Sequence, residues 1–310
     1  MKDKMLKYSV VIPTYKNSPE ILERAIGSVQ RQSLSDWEIL VVDDNPAGSS
    51  YKAEMRSLMS RISDPRIRFI FHKRNLGAPA ARNTAIVRAS GELVAFLDAD
   101  DEWDKDYLRT VWEKYEKYHV PLISVAYYIQ KPGKLLEIHE NDACRGMIYS
   151  KMKYSDIVGP TSAVVVKRSV LLETGGFDKR LPARQDYDLW LRITQKYPAE
   201  RISTPFLTIH RTGGESVSTR GLNHICGTEM VLRKILRNEK DFRIRRKIRQ
   251  SHYRHLMYSS IELGRMDVAG AYAFKYLKNG FSAEVFRVAL KLFMSKIFSL
   301  WKNERFFDKI

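Results

Sequence analysis

Aspartates dominate the residues whose types and spacing could do chemistry. The stretch LVAFLDADDEWD, residues 93–104, holds Asp98, Asp100, Asp101 and Asp104, with Glu102 among them. Carboxylates this close repel one another unless a cation or bulk water lies between them. That leaves two readings, a divalent-metal site or a hydrated acidic loop in which Asp104 caps the next helix. A second pair, Asp43-Asp44, ends EILVVDD, and a third set lies in RQDYDLWLR, where Asp186 and Asp188 stand two residues apart. On a helix that spacing turns them about 200° from each other, so one substrate can meet only one of them. Arg82 in GAPAARN and His210-Arg211 in TIHRTGGESVS are the cationic candidates.

The elements that must position these groups alternate between strand and helix, the pattern of a βαβ array. Strands are expected at Tyr8 to Ile12, Glu38 to Val42, Ile67 to Phe71 and Leu93 to Leu97. The last is a short continuous apolar run suited to burial on both faces. Ser18-Pro19 supplies an N-cap and a first-turn proline for a helix carrying Ile21, Leu22, Ala25, Ile26 and Val29 on one face, and further helices are expected at 50–62 and 79–89. The fold class is therefore α/β, a doubly wound mixed sheet flanked by helices. In such sheets ligands bind beyond the carboxyl ends of the strands, where Pro13-Thr14-Tyr15, Asp43-Asp44 and Asp98 to Asp101 collect. Beyond Asp104 the pattern is mixed: a helix through Leu108, Val111, Trp112 and Tyr115, strands at 122–129 and 163–166, and a helix on which Leu189, Trp190 and Ile193 face inward. From about Met230 it is helical. The clearest case is 282–302, where Phe286, Leu290, Phe293, Ile297 and Leu300 share a face opposite Glu284, Arg287, Lys291 and Lys302. The expected domains are 1–229 and a basic helical C-terminal extension, 230–310.

The formal charge of +17 is unevenly spread. Residues 230–310 hold 19 Lys and Arg against 7 Asp and Glu, while residues 1–229 hold 34 against 29. A nearly balanced first part with a basic, aromatic-rich tail fits an anionic membrane surface, through packing or docking of the tail, and nucleic acid is not expected. No signal peptide or membrane span is visible, so a cytoplasmic location, peripheral at the inner face of the membrane, is expected. Cys144 and Cys226 form neither a CxxC pair nor a disulfide framework.

Taken together, SVVIPTYKN, EILVVDDN, NLGAPAARNTAI, FLDADD, GGFD and QDYDLWLR, in that order over residues 8 to about 218, resemble the inverting glycosyltransferases of family 2. These have the GT-A fold and include bacterial enzymes of cell-surface polysaccharide synthesis. The resemblance implies transfer of a sugar from a UDP-sugar to a hydroxyl, on a glycan or lipid-linked acceptor, with Mg²⁺ or Mn²⁺ offsetting the charge of the departing diphosphate. FLDADD matches the family's DxD element, which assigns Asp100 to the metal and Asp98 to the ribose or the metal. The resemblance also assigns Asp44 to the uracil N3–H, Pro13 and Tyr15 to the base, Arg82 to the nucleotide or phosphates, and Asp186 to the general base. Asp43 and Asp188 are left structural. Gln185 departs from the glutamate usual there, which keeps the base but removes a neighbouring charge. His210 falls where relatives carry a loop over the donor. The alternatives are a nucleotidyltransferase, which lacks its triphosphate loop because PTYKNSPE follows the first strand, and a non-catalytic basic scaffold binding membrane or RNA.

Overall fold

A computed structural model describes residues 6–134, 136–139, 143–211 and 221–291. They fall into two compact units. The first comprises 6–152, 156–180 and 185–211; the second comprises 153–155, 181–184 and 221–291.

The first unit opens with β1 (Tyr8–Thr14), α1 (Pro19–Gln30), β2 (Trp37–Asp43), α2 (Ser50–Arg61), β3 (Ile67–Phe71), α3 (Ala78–Arg88) and β4 (Leu93–Phe96). These match the expected array to within one or two residues, because β1, β2 and β4 are buried apolar runs, α1 and α3 carry a proline in their first turn and α2 is capped by the Ser49 side chain. Next come β5 (Glu102–Trp103), α4 (Tyr107–Tyr118), β6 (Leu122–Gln130), β7 (Glu137–His139), β8 (Cys144–Gly146) and α5 (Tyr149–Met152). A 3₁₀ turn at Thr161–Ala163, β9 (Val164–Lys167), α6 (Arg168–Glu173), α7 (Gln185–Thr194) and β10 (Ala199–His210) complete the unit. The sheet order is β3-β2-β1-β4-β9-β6-β10-β5, with β7 beside β6 and β8 beside β10. β1 pairs in parallel with β2 and β4, whereas β9 runs antiparallel to both β4 and β6, so the sheet is mixed.

Two local devices position the site. Gly91 lies so close to β1 that a Cβ there would stand 2.5 Å from the Ser9 nitrogen. Its N–H and that of Ser90 donate to the Ser9 hydroxyl at 2.8 and 3.1 Å, fixing where β4 starts beside β1. At the far end of β4, Phe96 meets Phe177 edge to face at 5.3 Å, and both rings pack on Trp190 of α7.

Asp104 does not cap α4 with its side chain. The cap position belongs to Asp106, whose N–H donates to Asp104 Oδ1 at 3.0 Å.

The second unit holds α8 (Gly221–Asn238), α9 (Phe242–Glu262), α10 (Met266–Lys278) and a helix from 283 that is described as far as 291. It therefore takes in α8, half of which lies upstream of residue 230, because Ile225 of α8 packs with Leu256, Met257, Ala269, Tyr272 and Ala273. Residues 292–302 of the expected amphipathic helix lie outside the described residues. Among the described residues no helix is long and apolar enough to cross a membrane.

Candidate active site

The carboxyl end of β1 makes an abrupt turn. Lys16 takes a left-handed backbone (φ 56°), costly for a residue with a Cβ, and the Asn45 Oδ1 accepts its N–H at 2.9 Å. Asn17 Oδ1 accepts the Tyr15 N–H and the Thr14 hydroxyl, both at 3.2 Å. Tyr15 is thereby held exposed beside Pro13, and the Asp44 N–H donates to Thr14 O at 2.9 Å, which joins this turn to the end of β2.

The two aspartates after β2 have separate surroundings. Asp43 is buried against the Lys52 ammonium at 3.1 Å and accepts the Asn45 N–H and side-chain amide, so it holds the loop. Asp44 is also buried, and its carboxylate accepts from His72 Nδ1 at 2.7 Å, Leu76 N–H at 2.9 Å and Gly77 N–H at 2.7 Å. An ionised carboxylate can only accept, so His72 Nδ1 carries the hydrogen, and Nε2 faces the Thr84 hydroxyl at 3.0 Å. The Leu76 N–H is shared with the second oxygen at 3.1 Å, so these three donors meet both oxygens twice and occupy the carboxylate's roughly four acceptor positions.

The acidic turn after β4 is not a hydrated loop. The Asp98 N–H donates to Ser162 Oγ at 3.0 Å, and that hydroxyl donates to buried Asp101 at 2.6 Å. Arg82, itself buried, pairs with Asp98 at 2.5 Å while lying over the Phe177 ring. Arg24 donates to the Asp100 carbonyl at 2.6 Å. Burial and the adjacent Asp98 charge push the Asp100 carboxyl above its usual range. Burial, Asp98 and Asp100 push Asp101 well above it. A turn that desolvates like charges to this degree fits a hard divalent cation, since Asp98 and Asp100 are oxygen donors of the kind Mg²⁺ and Mn²⁺ take. Among the described residues no group of three or more His, Cys, Asp or Glu converges to make a closed cage, so further ligands would come from a bound phosphate or water.

Asp186 sits in the first turn of α7, partly exposed, with the Tyr187 N–H donating to its Oδ1 at 2.8 Å. Asp188 faces the other way. It is buried and paired with Arg192 Nε at 3.0 Å, and Arg192 also donates to Thr174 O and Gly176 O. Trp190, one turn beyond Asp186, packs on Phe96 and Phe177, and Asn83 clamps Phe177 through its N–H and its carbonyl, both at 2.8 Å. The Asp98–Arg82 pair and the α7 helix of Asp186 therefore share one packed support. Pro13, Tyr15 and Asp44 share another at the β1 and β2 ends.

His210, at the end of β10, lies 3.7 Å from Glu102, and burial and Arg24 lower its pKa. The segment that follows it, 212–220, lies outside the described residues. A cleft of about 660 Å³ lined by Glu102, Trp103, Tyr128 and Thr208 opens next in chain to the acidic turn. Sequence reading missed His72, Asn45, Arg24 and Ser162. Each is an ordinary polar residue remote in sequence from the group it holds, and the only local signal is the DN pair at Asp44-Asn45.

The chain belongs to glycosyl transferase family 2, whose model matches residues 9–173. Its relatives include enzymes of polysaccharide biosynthesis. One is the Escherichia coli UDP-Glc:alpha-D-GlcNAc-diphosphoundecaprenol beta-1,3-glucosyltransferase WfgD, 28% identical over 212 residues, which cover 68% of this chain and 79% of that one. Three further relatives, 31% to 32% identical, are covered over only 63% to 66% of their own length. Among solved structures, residues 1–349 of S. aureus TarS in complex with UDP-GlcNAc superimpose with a TM-score of 0.67 at 17% identity, over 87% of this chain and 82% of that one. The mannosyltransferase PcManGT of Pyrobaculum calidifontis, in complex with GDP-Man and Mn²⁺, gives 0.60 at 18% identity over 98% and 84%. At these identities the likeness establishes the GT-A fold.

Proposed function

We propose that this glycosyltransferase moves a sugar from a UDP-sugar to a hydroxyl of a lipid-linked glycan with inversion, peripherally at the cytoplasmic face of a membrane, in polysaccharide synthesis. The observation that carries the reading is the acidic turn after β4, where Arg82 orients Asp98 and burial crowds Asp100 and Asp101 together. Asp98 and Asp100 would hold Mg²⁺ or Mn²⁺, which supplies positive charge against the departing diphosphate. Asp44 accepts the uracil imide N–H in place of one half of the Leu76 N–H bond, which is shared between its two oxygens, and Pro13 and Tyr15 border the base. Arg82 acts through Asp98, as a positioning group, and its engagement there argues against a direct phosphate contact. Asp186 takes the proton from the acceptor hydroxyl as the new glycosidic bond forms, so the sugar is attacked from the side opposite the diphosphate.

A panel of UDP-sugars, with GDP-mannose as the contrasting donor, incubated with and without Mn²⁺, tests the reading. Metal-dependent release of UDP from one donor, lost in Asp100→Ala with the melting curve preserved, is the expected result. Normal Mn²⁺-dependent turnover in Asp100→Ala removes that residue from the site, and turnover of GDP-mannose in preference to every UDP-sugar overturns the donor assignment.

A further inference from the structure

The helix from 283 is apolar on two adjacent faces, and only one of them packs inside its own unit. Val285 is buried against the cluster of Leu256, Met257 and Ala273, with Val288 and Ala289 alongside. The next face round the helix, which sequence periodicity marks as the apolar one, stays in solvent: Phe286 is 48% and Leu290 51% exposed. Phe281 is 75% exposed and lies 5.9 Å from Phe286. The neighbouring helices carry exposed phenylalanines as well. Arg246 of α9 hydrogen-bonds to Asn279 O next to this turn, and Phe242, 71% exposed, lies one turn before Arg246. Phe274 of α10, 60% exposed, carries the Lys278 ammonium over its ring at 4.6 Å.

Single exposed apolar residues are ordinary, but four phenylalanines and a leucine on one small helical unit are not. The charge around them says what they meet. Residues 221–291 contain fifteen Lys and Arg against six Asp and Glu, and Arg243, Arg246 and Lys247 stand exposed around Phe242. A second copy of this chain would bring the same positive charge and be repelled. A nucleic acid would meet the cations but leave Phe281, Phe286 and Leu290 without an apolar phase. An anionic lipid headgroup layer satisfies both, with rings at the acyl boundary and cations among phosphates.

We infer that the surface formed by Phe242, Phe281, Phe286 and Leu290, with Arg243 and Lys247, docks this enzyme on an anionic phospholipid surface. This deepens the reading of a lipid-linked acceptor, since it names the surface that would bring enzyme and acceptor together. The test uses the full chain and sedimentation with vesicles of phosphatidylcholine, or of phosphatidylcholine with phosphatidylglycerol. Binding is expected only with phosphatidylglycerol and should weaken with salt. The triple variant Phe242→Ser/Phe281→Ser/Phe286→Ser should lose roughly tenfold or more for the apolar burial forgone. Arg243→Gln/Lys247→Gln should lose about fivefold for each charge. UDP-sugar hydrolysis without vesicles should be unchanged in both, which separates failure of this inference from failure of the catalytic reading. Equal sedimentation with both vesicle types, none with either, or unweakened binding by both variants overturns it. So does a concentration-dependent dimer that the triple variant abolishes.

Discussion

Asp186 and Asp188 stand two residues apart in the same helix, and substituting each by asparagine should produce opposite kinds of damage. Asp188 is 2% exposed, and its partner Arg192 is about a third exposed on its side chain. Losing one member of a fully buried pair costs about 3 to 5 kcal/mol. Here the exposed part of Arg192 is solvated, and asparagine keeps an acceptor oxygen for its Nε–H. What disappears is the charge-assisted part of the bond, about 1 to 2 kcal/mol. In a unit of this size that lowers the melting temperature by roughly 3 to 6 °C, with turnover at 25 °C largely retained. Asp186 is partly exposed, and asparagine Oδ1 can still accept the Tyr187 N–H, so the melting temperature should hold. Its rate of sugar transfer should fall by about 10²- to 10⁴-fold, the usual cost of removing a general base, while affinity for the UDP-sugar is unchanged. Differential scanning calorimetry and single-turnover transfer to a hydroxyl acceptor read the two effects separately. Near-normal transfer by Asp186→Asn, or a hundredfold loss in Asp188→Asn at an unchanged melting temperature, would refute the division of roles.

Asp44→Ala should weaken UDP binding in calorimetry and also lower stability by about 2 to 4 kcal/mol, because His72 and the N–H groups of Leu76 and Gly77 lose their acceptor; unchanged UDP affinity sinks the base-pocket assignment. Gly91→Ala should cost about 3 kcal/mol, since the added methyl meets β1 backbone that cannot move aside; an unaltered urea midpoint would show that β1 and β4 can separate there. His252, buried with its Nε2 on Lys153 O, has its pKa lowered by burial from 6.5 to about 4. The unfolded chain therefore binds a proton between those values that the native chain does not, so His252 favours the fold fully above pH 6.5 and loses up to about 3 kcal/mol of that as pH falls toward 4. His252→Gln, which can still donate to the carbonyl, should flatten the stability curve over that window, and parallel curves for the two proteins would contradict this.

The strands, most of the helices and the split between Asp186 and Asp188 were legible in the sequence because they depend on local things: runs of Val, Ile and Leu, a Ser-Pro helix start, and the 100° step of a helix. The aspartates worth watching were legible too, since strand ends in a doubly wound sheet point to one edge. What those aspartates touch was not. Arg82 is 16 residues from Asp98, His72 is 28 from Asp44, and Ser162 is 61 from Asp101, so only the closed fold brings each donor to its carboxylate. The same holds for Asp104, which looks like a cap by position but yields that place to Asp106. At the C-terminal end, periodicity correctly marks Phe286 and Leu290 as an apolar face, yet it cannot say which of two adjacent faces packs. The core residues of α9 and α10 decide that by engaging Val285, Val288 and Ala289, and the phenylalanine face is left in solvent because one side of a helix is all that a single neighbouring layer can cover.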